Sequence, residues 1–384
     1  MASAGALKAT IVALEGGTGP VAVDTERASG YRYWQRAYLV QLRREGAGTA
    51  LIDPLGLDDL SELADVLNPL EWVLHAASQD LPCLAELGLR PAAVFDTELA
   101  ARLAGFERVG LAALVEDLLG YQLQKGHGAA DWSRRPLPAE WLAYAALDVE
   151  LLLPLQAAVA AELDAQGKSS WAVEEFEAVR TAGPPAPRVD PWRRTSGMHR
   201  VQKPREVAAV RELWQARDRL ARQRDIAPGR VLPDSAIIDA ALVDSPDEAA
   251  LLSRPVFSGR SQRRHVKTWL NALQTARALS PNDLPPVRAQ AESPPPVNRW
   301  PDRDPAAAIR LTAARTALTK IAEQHRLPVQ NLLAPDLVRR LCWEPPEPLD
   351  APAVARDLIA GGARRWQCEL TAHALATALQ TNPK

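Results

Sequence analysis

The segment Val21-Ala-Val-Asp-Thr-Glu26 ends a short apolar, β-prone run with two carboxylates. Side chains two positions apart in a strand point to the same face of the sheet, so Asp24 and Glu26 are expected to project together. Two neighbouring carboxylates repel each other, and a divalent cation between them removes that repulsion. An Asp-x-Glu pair at a strand end is also common in proteins without a cation site, so its meaning depends on the rest of the chain.

Two further carboxylates follow at helical positions. Residues 141–153 have helical periodicity, and the i, i+4 spacing places Tyr144 and Asp148 one turn apart on one face. The run Glu71-Trp-Val-Leu74 predicts a strand, and Asp80 is expected in the first turn of the helix that follows it. A tyrosine and an aspartate at this spacing more often form a plain surface or core pair, so the pieces have to be considered together.

The first part of the chain mixes strands with helices. Apolar, β-prone runs at 37–42 and 50–53 flank Arg43-Arg-Glu-Gly-Ala-Gly48, which predicts a hairpin. From Leu57 onward helical periodicity dominates. Three adjacent strands followed by helices and a further strand predict an α/β domain with a mixed sheet covered by helices. The later segments have helical periodicity only, which predicts all-α domains.

Proline-rich stretches divide the chain, because proline lacks the N–H and has a fixed φ. One surrounds Gly183-Pro-Pro-Ala-Pro187, and another holds eight prolines between Pro281 and Pro305. Ala208-Ala-Val-Arg211 and Ala307-Ala-Ile-Arg310 begin similar patterns about one hundred residues apart, which indicates a duplicated helical module with a weaker second copy. The predicted division is an α/β domain at 1–180, a linker at 181–199, a helical domain at 200–280, a linker at 281–304 and a helical domain at 305–384.

Charge is distributed unevenly along the 384 residues. Residues 1–165 contain 12 basic and 23 acidic residues, whereas residues 166–384 contain 33 basic and 24 acidic residues. This asymmetry indicates cations as partners of the first part and a polyanion as partner of the second, with drift in surface composition as the alternative. Three widely spaced cysteines argue against structural zinc and a disulfide framework. Because no signal-like or membrane-spanning stretch is evident, we expect a cytoplasmic protein without a membrane partner.

The order and spacing of these pieces resemble the three exonuclease motifs of the DEDD superfamily, in its tyrosine-bearing branch, and most closely the ribonuclease D family. The resemblance covers most of residues 20–155. The matching segments are Val23-Asp-Thr-Glu26, Leu39-Val-Gln41, Leu51-Ile-Asp-Pro54, Leu74-His-Ala76 with Asp80, Phe95-Asp-Thr97, Asp131-Trp132 with Arg135-Pro-Leu137, and Tyr144-Ala-Ala-Leu-Asp148 with Leu152-Leu-Pro154.

The resemblance implies a ribonuclease H-like mixed sheet and two-metal hydrolysis of phosphodiester bonds. Its implied ligands for two divalent cations, Mg²⁺ or Mn²⁺, are Asp24, Glu26, Asp80 and Asp148. Hard oxygen ligands suit these cations better than they suit zinc. The implied role of Tyr144 is to hold the attacking water.

The chain departs from the family pattern at two points. Arg27 follows the first motif, where family members often have an aromatic residue. Recognition of the substrate end is therefore expected to use charge, or one of Tyr31, Tyr33 and Trp34. The 23 residues before the first motif have room for a helix around residues 7–14, whereas the family's outer strand is expected to be absent.

Residues 200–280 resemble an HRDC domain, a helical module that accompanies the nuclease in this family, and residues 305–384 resemble a degenerate second copy. Nucleic-acid contacts are predicted near the carboxylates and around the turn Val256-Phe-Ser-Gly-Arg260, which leads into a basic helix. Plain solvent exposure is the alternative reading of these basic residues. The candidates are Arg27, Lys125, His127, Arg134 and Arg135 in the first domain, and Arg260, Arg263, Arg264 and Lys267 in the second.

Other candidate motifs are interpreted as structural. Asp96 is expected to cap the helix that follows it, and Asp53 and His75 are expected to have structural roles. Gly167-Lys-Ser169 resembles the end of a phosphate-binding loop, but Glu162 occupies the required upstream glycine position, so no ATP is expected.

We therefore expect a metal-dependent 3′-5′ exoribonuclease that trims single-stranded 3′ ends of structured RNA precursors such as tRNA and releases 5′-nucleotides. A 3′-5′ DNA exonuclease remains an alternative, because no residue in the sequence identifies a contact to the 2′-hydroxyl. A nucleic-acid-binding scaffold with a dead nuclease domain is a third possibility, which the intact carboxylate set disfavours. A monomer is favoured.

Overall fold

The computed structural model describes residues 3–123, 126–184, 186–244, 247–288 and 294–381. An α/β domain comes first and helical domains follow it, as the sequence pattern predicts.

A mixed sheet forms the centre of the first domain. Its strands are β1 (Thr18–Glu26), β2 (Leu39–Glu45), β3 (Gly48–Ile52), β4 (Glu71–Leu74) and β5 (Ala93–Asp96). The order across the sheet is β3-β2-β1-β4-β5; β2 is antiparallel to both β3 and β1, and β1, β4 and β5 are mutually parallel. The predicted hairpin joins β2 to β3, and its Gly46 and Gly48 both have positive φ, which a side chain would disfavour. The sequence pattern did not predict β5.

Helices cover both faces of this sheet. They are α1 (Ala4–Gly16), α2 (Ser61–Leu67), α3 (Leu81–Glu86), α4 (Thr97–Ala104), α5 (Leu111–Leu119), α6 (Ala139–Glu150), α7 (Leu152–Ala165) and α8 (Ser169–Arg180). The helix expected around residues 7–14 is present as α1. No strand precedes β1 in the described residues from 3 onward.

The two faces of β1 pack against different helices. Val21 and Val23 belong to the apolar cluster that includes buried residues of α1 and α2. Ala22 belongs to the cluster that includes buried residues of α6 and α7. Because side chains alternate along a strand, Asp24 and Glu26 lie on the same face as Ala22, toward α6.

The middle helical domain has its own apolar core. Its helices are α9 (Pro204–Arg224), α10 (Pro228–Val231), α11 (Asp234–Ala241), α12 (Glu248–Leu252), α13 (Arg260–Arg264) and α14 (Val266–Ala278). The core centres on Val207, Leu213 and Trp269, which are fully buried. Tyr33 of the first domain packs against the same cluster.

The last helical domain shares a core with the first domain. Its helices are α15 (Trp300–Arg303), α16 (Pro305–Gln324), α17 (Val329–Leu332), α18 (Pro335–Trp343), α19 (Ala351–Ala360) and α20 (Arg365–Leu379). One continuous apolar cluster joins Leu155 of α7 to Leu311 of α16. Trp171 of α8 stacks on Trp366 of α20 with ring centroids 4.9 Å apart. In both helical domains a long helix is followed by a four-residue helix and then by a helix of eight or nine residues, and the duplication of the module stays a prediction.

One helical stretch among the described residues is long and apolar enough to cross a membrane by length and composition, and it runs from Ala139 to Ala165. It comprises α6 and α7, whose buried residues pack within the first domain.

Candidate active site

Three carboxylates converge where β1 meets α6. Asp24 and Glu26 extend from one face of β1, and Asp148 lies near the C-terminal end of α6, which covers that face. One oxygen of each carboxylate lies within 4.8 Å of the others. The structure thus brings together three of the four predicted ligands from separate parts of the sequence.

Asp80 lies beside this cluster and is held by its own hydrogen bonds. The chain leaves β4, passes through a 3₁₀ turn at Ala77–Gln79 and reaches Asp80 directly before α3, one position earlier than predicted. The hydroxyl of Thr25 donates a 2.6 Å hydrogen bond to Asp80, and a guanidinium nitrogen of Arg27 lies 3.8 Å from the same carboxylate. The side chain of Thr25, which sequence reasoning had not singled out, thus links the first motif to Asp80.

Burial raises the pKa of every carboxyl in the site, and repulsion between the carboxylates adds to this effect at Asp24 and Glu26. The pKa of Asp24 lies well above its ordinary value because of burial first, and then because of the charges on Asp80, Asp148 and Glu26. Burial, together with the charges of Asp148 and Asp80, raises the pKa of Glu26 to about 8. Burial also raises the pKa of Asp80 to about 6 and that of Asp148 to about 6. The cluster therefore retains protons near neutral pH unless positive charge enters it.

Tyr144 lies one turn before Asp148 on α6, as predicted. Burial, followed by the charges of Asp148 and Glu26, raises the pKa of its phenol above the ordinary value. The hydroxyl therefore stays protonated at neutral pH, and it hydrogen-bonds to Asp148. A protonated phenol in this position can orient a water molecule, but it cannot act as a phenolate base.

A glycine-containing loop closes over Tyr144. A Cβ at Gly126 would lie 1.9 Å from ring carbon Cδ2 of Tyr144, so only glycine allows the loop to approach the ring this closely. The ring of His127 stacks on Trp141 at 5.6 Å and meets the edge of Tyr144 at 5.9 Å. The predicted contact Lys125 lies outside the described residues.

Asp96 fixes the turn that leads to Asp80. Its carboxylate accepts hydrogen bonds from the backbone N–H groups of Ala76 and Ala77, and from the first turn of α4. The helix cap predicted at Asp96 is therefore present. His75 Nδ1 lies 2.9 Å from the Thr97 hydroxyl, a contact that fits a structural role for this histidine.

Arg135 is occupied by structural partners. Its guanidinium makes two hydrogen bonds to Asp53, at 2.6 and 2.7 Å, and donates to the carbonyl oxygens of Tyr38 and Trp132. These contacts fit the structural role expected of Asp53. Arg135 is nevertheless exposed, and its contact with nucleic acid stays a prediction. The neighbouring Arg134 is exposed.

The loop after β1 docks on the middle helical domain. The Asp225 carboxylate accepts hydrogen bonds from the backbone N–H groups of Tyr33 and Trp34, and Tyr33 donates through its hydroxyl to Asp218. Of the three aromatic residues considered for the substrate end, Trp34 is 41% exposed, whereas Tyr33 is occupied by these contacts. The sequence carried no signal for this docking.

The basic candidates of the middle domain lie in α13 and in the first turn of α14. Arg260, Arg263, Arg264 and Lys267 are all exposed. His265, between them, lies 3.1 Å from Arg224, the neighbour of the docking residue Asp225. Through Arg224 and Asp225 the basic turn therefore connects to the loop that follows β1.

Three family models match the chain. A 3′-5′ exonuclease model matches residues 3–164, an HRDC domain model matches residues 206–273, and a 3′ to 5′ exonuclease C-terminal domain model matches residues 293–379. Because the last segment matches a model of its own, the second HRDC copy stays a prediction.

Known proteins resemble the chain over most of its length. It is 32% identical to ribonuclease D of Shewanella sp. (strain ANA-3) over 315 residues, which cover 81% of this chain and 77% of the relative. It is 30% identical to ribonuclease D of Escherichia coli (strain K12) over 373 residues, which cover 95% and 94%.

Solved structures agree with these relatives. A protein from Bifidobacterium adolescentis superposes with a TM-score of 0.92 at 38% identity, covering 99% of this chain and 96% of that one. Escherichia coli RNase D, described as an exoribonuclease involved in structured RNA processing, superposes with a TM-score of 0.72 at 27% identity, covering 100% and 99%. The chain belongs to the ribonuclease D family and is a 3′-5′ exoribonuclease that depends on divalent metal ions.

Proposed function

We propose that this enzyme trims the single-stranded 3′ ends of structured RNA precursors such as tRNA and releases 5′-nucleotides. The observation behind the proposal is the convergence of Asp24, Glu26 and Asp148 within 4.8 Å, with Tyr144 one turn away. The related Escherichia coli enzyme is described as acting in structured RNA processing, which supports the same substrate class here.

We further propose Mg²⁺ or Mn²⁺ as the metal ions, two per active site. The donor set fits, because it consists of carboxylate oxygens only and because burial, together with repulsion between the carboxylates, raises the pKa values of Asp24 and Glu26. Asp24, Glu26, Asp80 and Asp148 would hold the two cations. When bound, such a pair stabilises the attacking and leaving oxygens of an in-line phosphodiester displacement.

The protein's own side chains would position the reactants. The Tyr144 hydroxyl, held protonated and turned toward Asp148, would orient the attacking water. Thr25 would keep the Asp80 carboxylate in place through its 2.6 Å hydrogen bond. No nucleophilic side chain is required. Most of the catalysis in phosphoryl transfer comes from positioning the reactants and from stabilising the charge of the transition state.

The RNA end would enter the cleft beside Glu26. A cavity of about 320 Å³ lies there between residues 25–30 and 128–130. Arg27 and His127 border this region, and a base would stack on the part of Trp34 that remains exposed beside Tyr33 and Arg222. Arg134 and the basic residues of α13 and of the first turn of α14 would contact phosphates farther along the RNA strand.

We propose that the enzyme acts as a cytoplasmic monomer without ATP. The lysine of the Gly167-Lys-Ser169 segment supports the last point, because Lys168 is only 3% exposed and its Nζ donates to the Leu103 carbonyl. A buried lysine with this partner is not available to a triphosphate.

The test is incubation of 3′-labelled single-stranded RNA and DNA of one sequence with Mg²⁺ or Mn²⁺, with EDTA as control. We expect stepwise release of 5′-nucleotides from RNA, abolished by EDTA and by Asp24→Asn, while that variant still binds RNA. Faster degradation of DNA would favour the DNA exonuclease, and binding without hydrolysis in either metal would favour the scaffold.

A further inference from the structure

Gln41 lies opposite Asp24 in the sheet. The two residues are direct partners in the antiparallel pairing of β1 and β2. Partners of this kind have Cβ atoms about 5 Å apart and side chains on the same face. Leu51 of β3 is the partner of Gln41 on its other side, so neighbouring strands flank the Gln41 side chain on both sides.

The residues around Gln41 identify the face to which it points. Arg43, two positions along β2, forms a 2.9 Å ion pair with Glu150 of α6. Leu39, two positions in the other direction, packs in a cluster with Ala145 of α6. Because side chains alternate between the two faces along β2, Gln41 points to the same face as Leu39 and Arg43. It therefore lies under α6, the helix that carries Asp148 and Tyr144.

The carboxamide of Gln41 is fully buried and has no partner. Its exposed fraction is 0%, and neither Nε2 nor Oε1 makes a hydrogen bond. Buried polar side chains are nearly always hydrogen-bonded, and an unmet donor and acceptor are costly. An apolar side chain would pack at this place at lower cost, so a polar residue here requires an explanation.

A neutral donor is suited to this position. The cluster already holds carboxylates that repel one another, and an arginine or lysine beside Asp24 would compete with divalent cations for it. A carboxamide donates hydrogen bonds without adding charge. The donor is most useful when Asp24 is fully ionised, the form that binds cations.

We propose that Gln41 is a positioning residue for the metal site, whose amide orients the Asp24 carboxylate toward the cations. The inference rests on the proposed two-cation site and adds a contact to it. Outer partners of metal ligands commonly change metal affinity by roughly ten- to a hundredfold when they are removed. In the cation-bound protein Gln41 would donate to Asp24 and stabilise the site. In the cation-free protein its buried amide has no partner, so it would lower stability.

The test compares Gln41→Met with the wild-type chain, because methionine keeps the length of the side chain and removes its N–H donor. Gln41→Leu is the second variant if the first does not fold. Val40→Ala is the matched control, since Val40 is buried on the same strand but faces the α1 and α2 side. Mn²⁺ is titrated alone into each full-length protein by calorimetry, and thermal midpoints are recorded in EDTA.

We expect Gln41→Met to weaken Mn²⁺ binding about tenfold or more while its midpoint in EDTA equals or exceeds that of the wild type. Val40→Ala should lower the midpoint and leave Mn²⁺ affinity unchanged. Equal Mn²⁺ affinity of Gln41→Met and the wild type would overturn the role of Gln41. A weaker Mn²⁺ affinity accompanied by a lowered thermal midpoint in EDTA would overturn it as well. A wild-type protein that binds no Mn²⁺ would instead overturn the proposed metal site itself, so the two failures are distinguishable.

Discussion

The guanidinium of Arg230 lies over the ring of Tyr31, 4.0 Å from its centroid, and its Nε donates a 2.6 Å hydrogen bond to the carbonyl of Gly30. The backbone N–H of Ala227 also donates to the Tyr31 carbonyl. Tyr31 and Gly30 belong to the loop that follows β1 directly after Glu26, and Gly30 lines the cleft beside Glu26. The middle helical domain therefore shapes the rim of the active site as well as offering a basic surface.

Arg230→Ala tests this coupling. Removing the guanidinium releases the loop at Gly30 and Tyr31, so we expect kcat/KM on short single-stranded RNA to fall roughly tenfold or more, because displaced positioning groups have effects of this size. Mn²⁺ affinity should be unchanged. Arg200→Ala is the control, because Arg200 pairs with Asp239 within the same domain. Equal kinetics for the two variants would show that the loop does not need this contact.

Gly126→Ala tests the close approach of the loop to Tyr144. The added Cβ would overlap the ring at 1.9 Å, so the ring or the loop has to move, and we expect turnover to fall at least tenfold. Gly128→Ala is matched to it, because its Cβ would meet the Tyr144 hydroxyl at 3.8 Å, an ordinary contact distance. Single-turnover rates on a labelled oligonucleotide measure the difference. Similar rates for both variants would contradict the tight packing at Gly126.

Tyr144→Phe separates water positioning from metal binding. The variant keeps the ring but loses the hydroxyl, so we expect kcat to fall by roughly a hundredfold while Mn²⁺ affinity changes little. Calorimetric titration of Mn²⁺ and steady-state kinetics on the same preparation are the measurements. A loss of metal affinity with normal turnover at saturating metal would assign the phenol to the metal site.

The raised pKa values predict how the stability of the metal-free protein depends on pH. The pKa of Glu26 is about 8 in the folded protein against an ordinary 4.5, and the pKa values of Asp80 and Asp148 are about 6 against 3.8. Over this interval the folded protein binds more protons than the unfolded chain. The contribution of these groups to the free energy of unfolding therefore decreases as pH rises from about 4 to 8.

Thermal midpoints in EDTA at pH 6 and pH 8 measure this effect. We expect a lower midpoint at pH 8, and a smaller decrease for Glu26→Gln, which has no proton to lose at that position. Mn²⁺ should raise the midpoint of the wild type more at pH 8 than at pH 6. Identical decreases for the wild type and Glu26→Gln would mean that the cluster does not retain the expected protons.

The basic turn of the middle domain is tested by replacing Arg260, Arg263, Arg264 and Lys267 with alanine together. Each lost phosphate contact on a single strand lowers the slope of log affinity against log salt by roughly 0.7, so we expect weaker RNA binding and a slope reduced by up to about 3. Arg315→Ala with Lys320→Ala, two exposed basic residues of α16, is the control. An unchanged salt slope would remove this turn from the RNA path.

Substitution is preferable to deletion of the helical domains. The last domain shares an apolar cluster with α7, and Glu175 of α8 accepts a 3.1 Å hydrogen bond from the indole of Trp366. A chain that ends before the last domain would expose this surface of the nuclease domain. Loss of RNA binding in such a truncated protein would not distinguish a lost contact from a damaged fold.

The sequence by itself determined which residues share a face. The two-residue spacing of Asp24 and Glu26 and the four-residue spacing of Tyr144 and Asp148 are properties of a strand and a helix, and the structure realises both. The same local signals predicted the β2-β3 hairpin and the cap at Asp96. Such features depend on the period of a single element or on one turn, so they can be read without knowing the fold.

Only the tertiary structure decided which elements meet. The register between β1 and β2 places Gln41 opposite Asp24. Tyr31 contacts Arg230 although 199 positions separate them in the chain. The charge of Arg135 predicted a contact with phosphate, and the fold pairs its guanidinium with Asp53. Strand register and the docking of one element on another depend on the packing of many side chains from whole strands and helices. The spacing of a few residues in the sequence does not determine that packing.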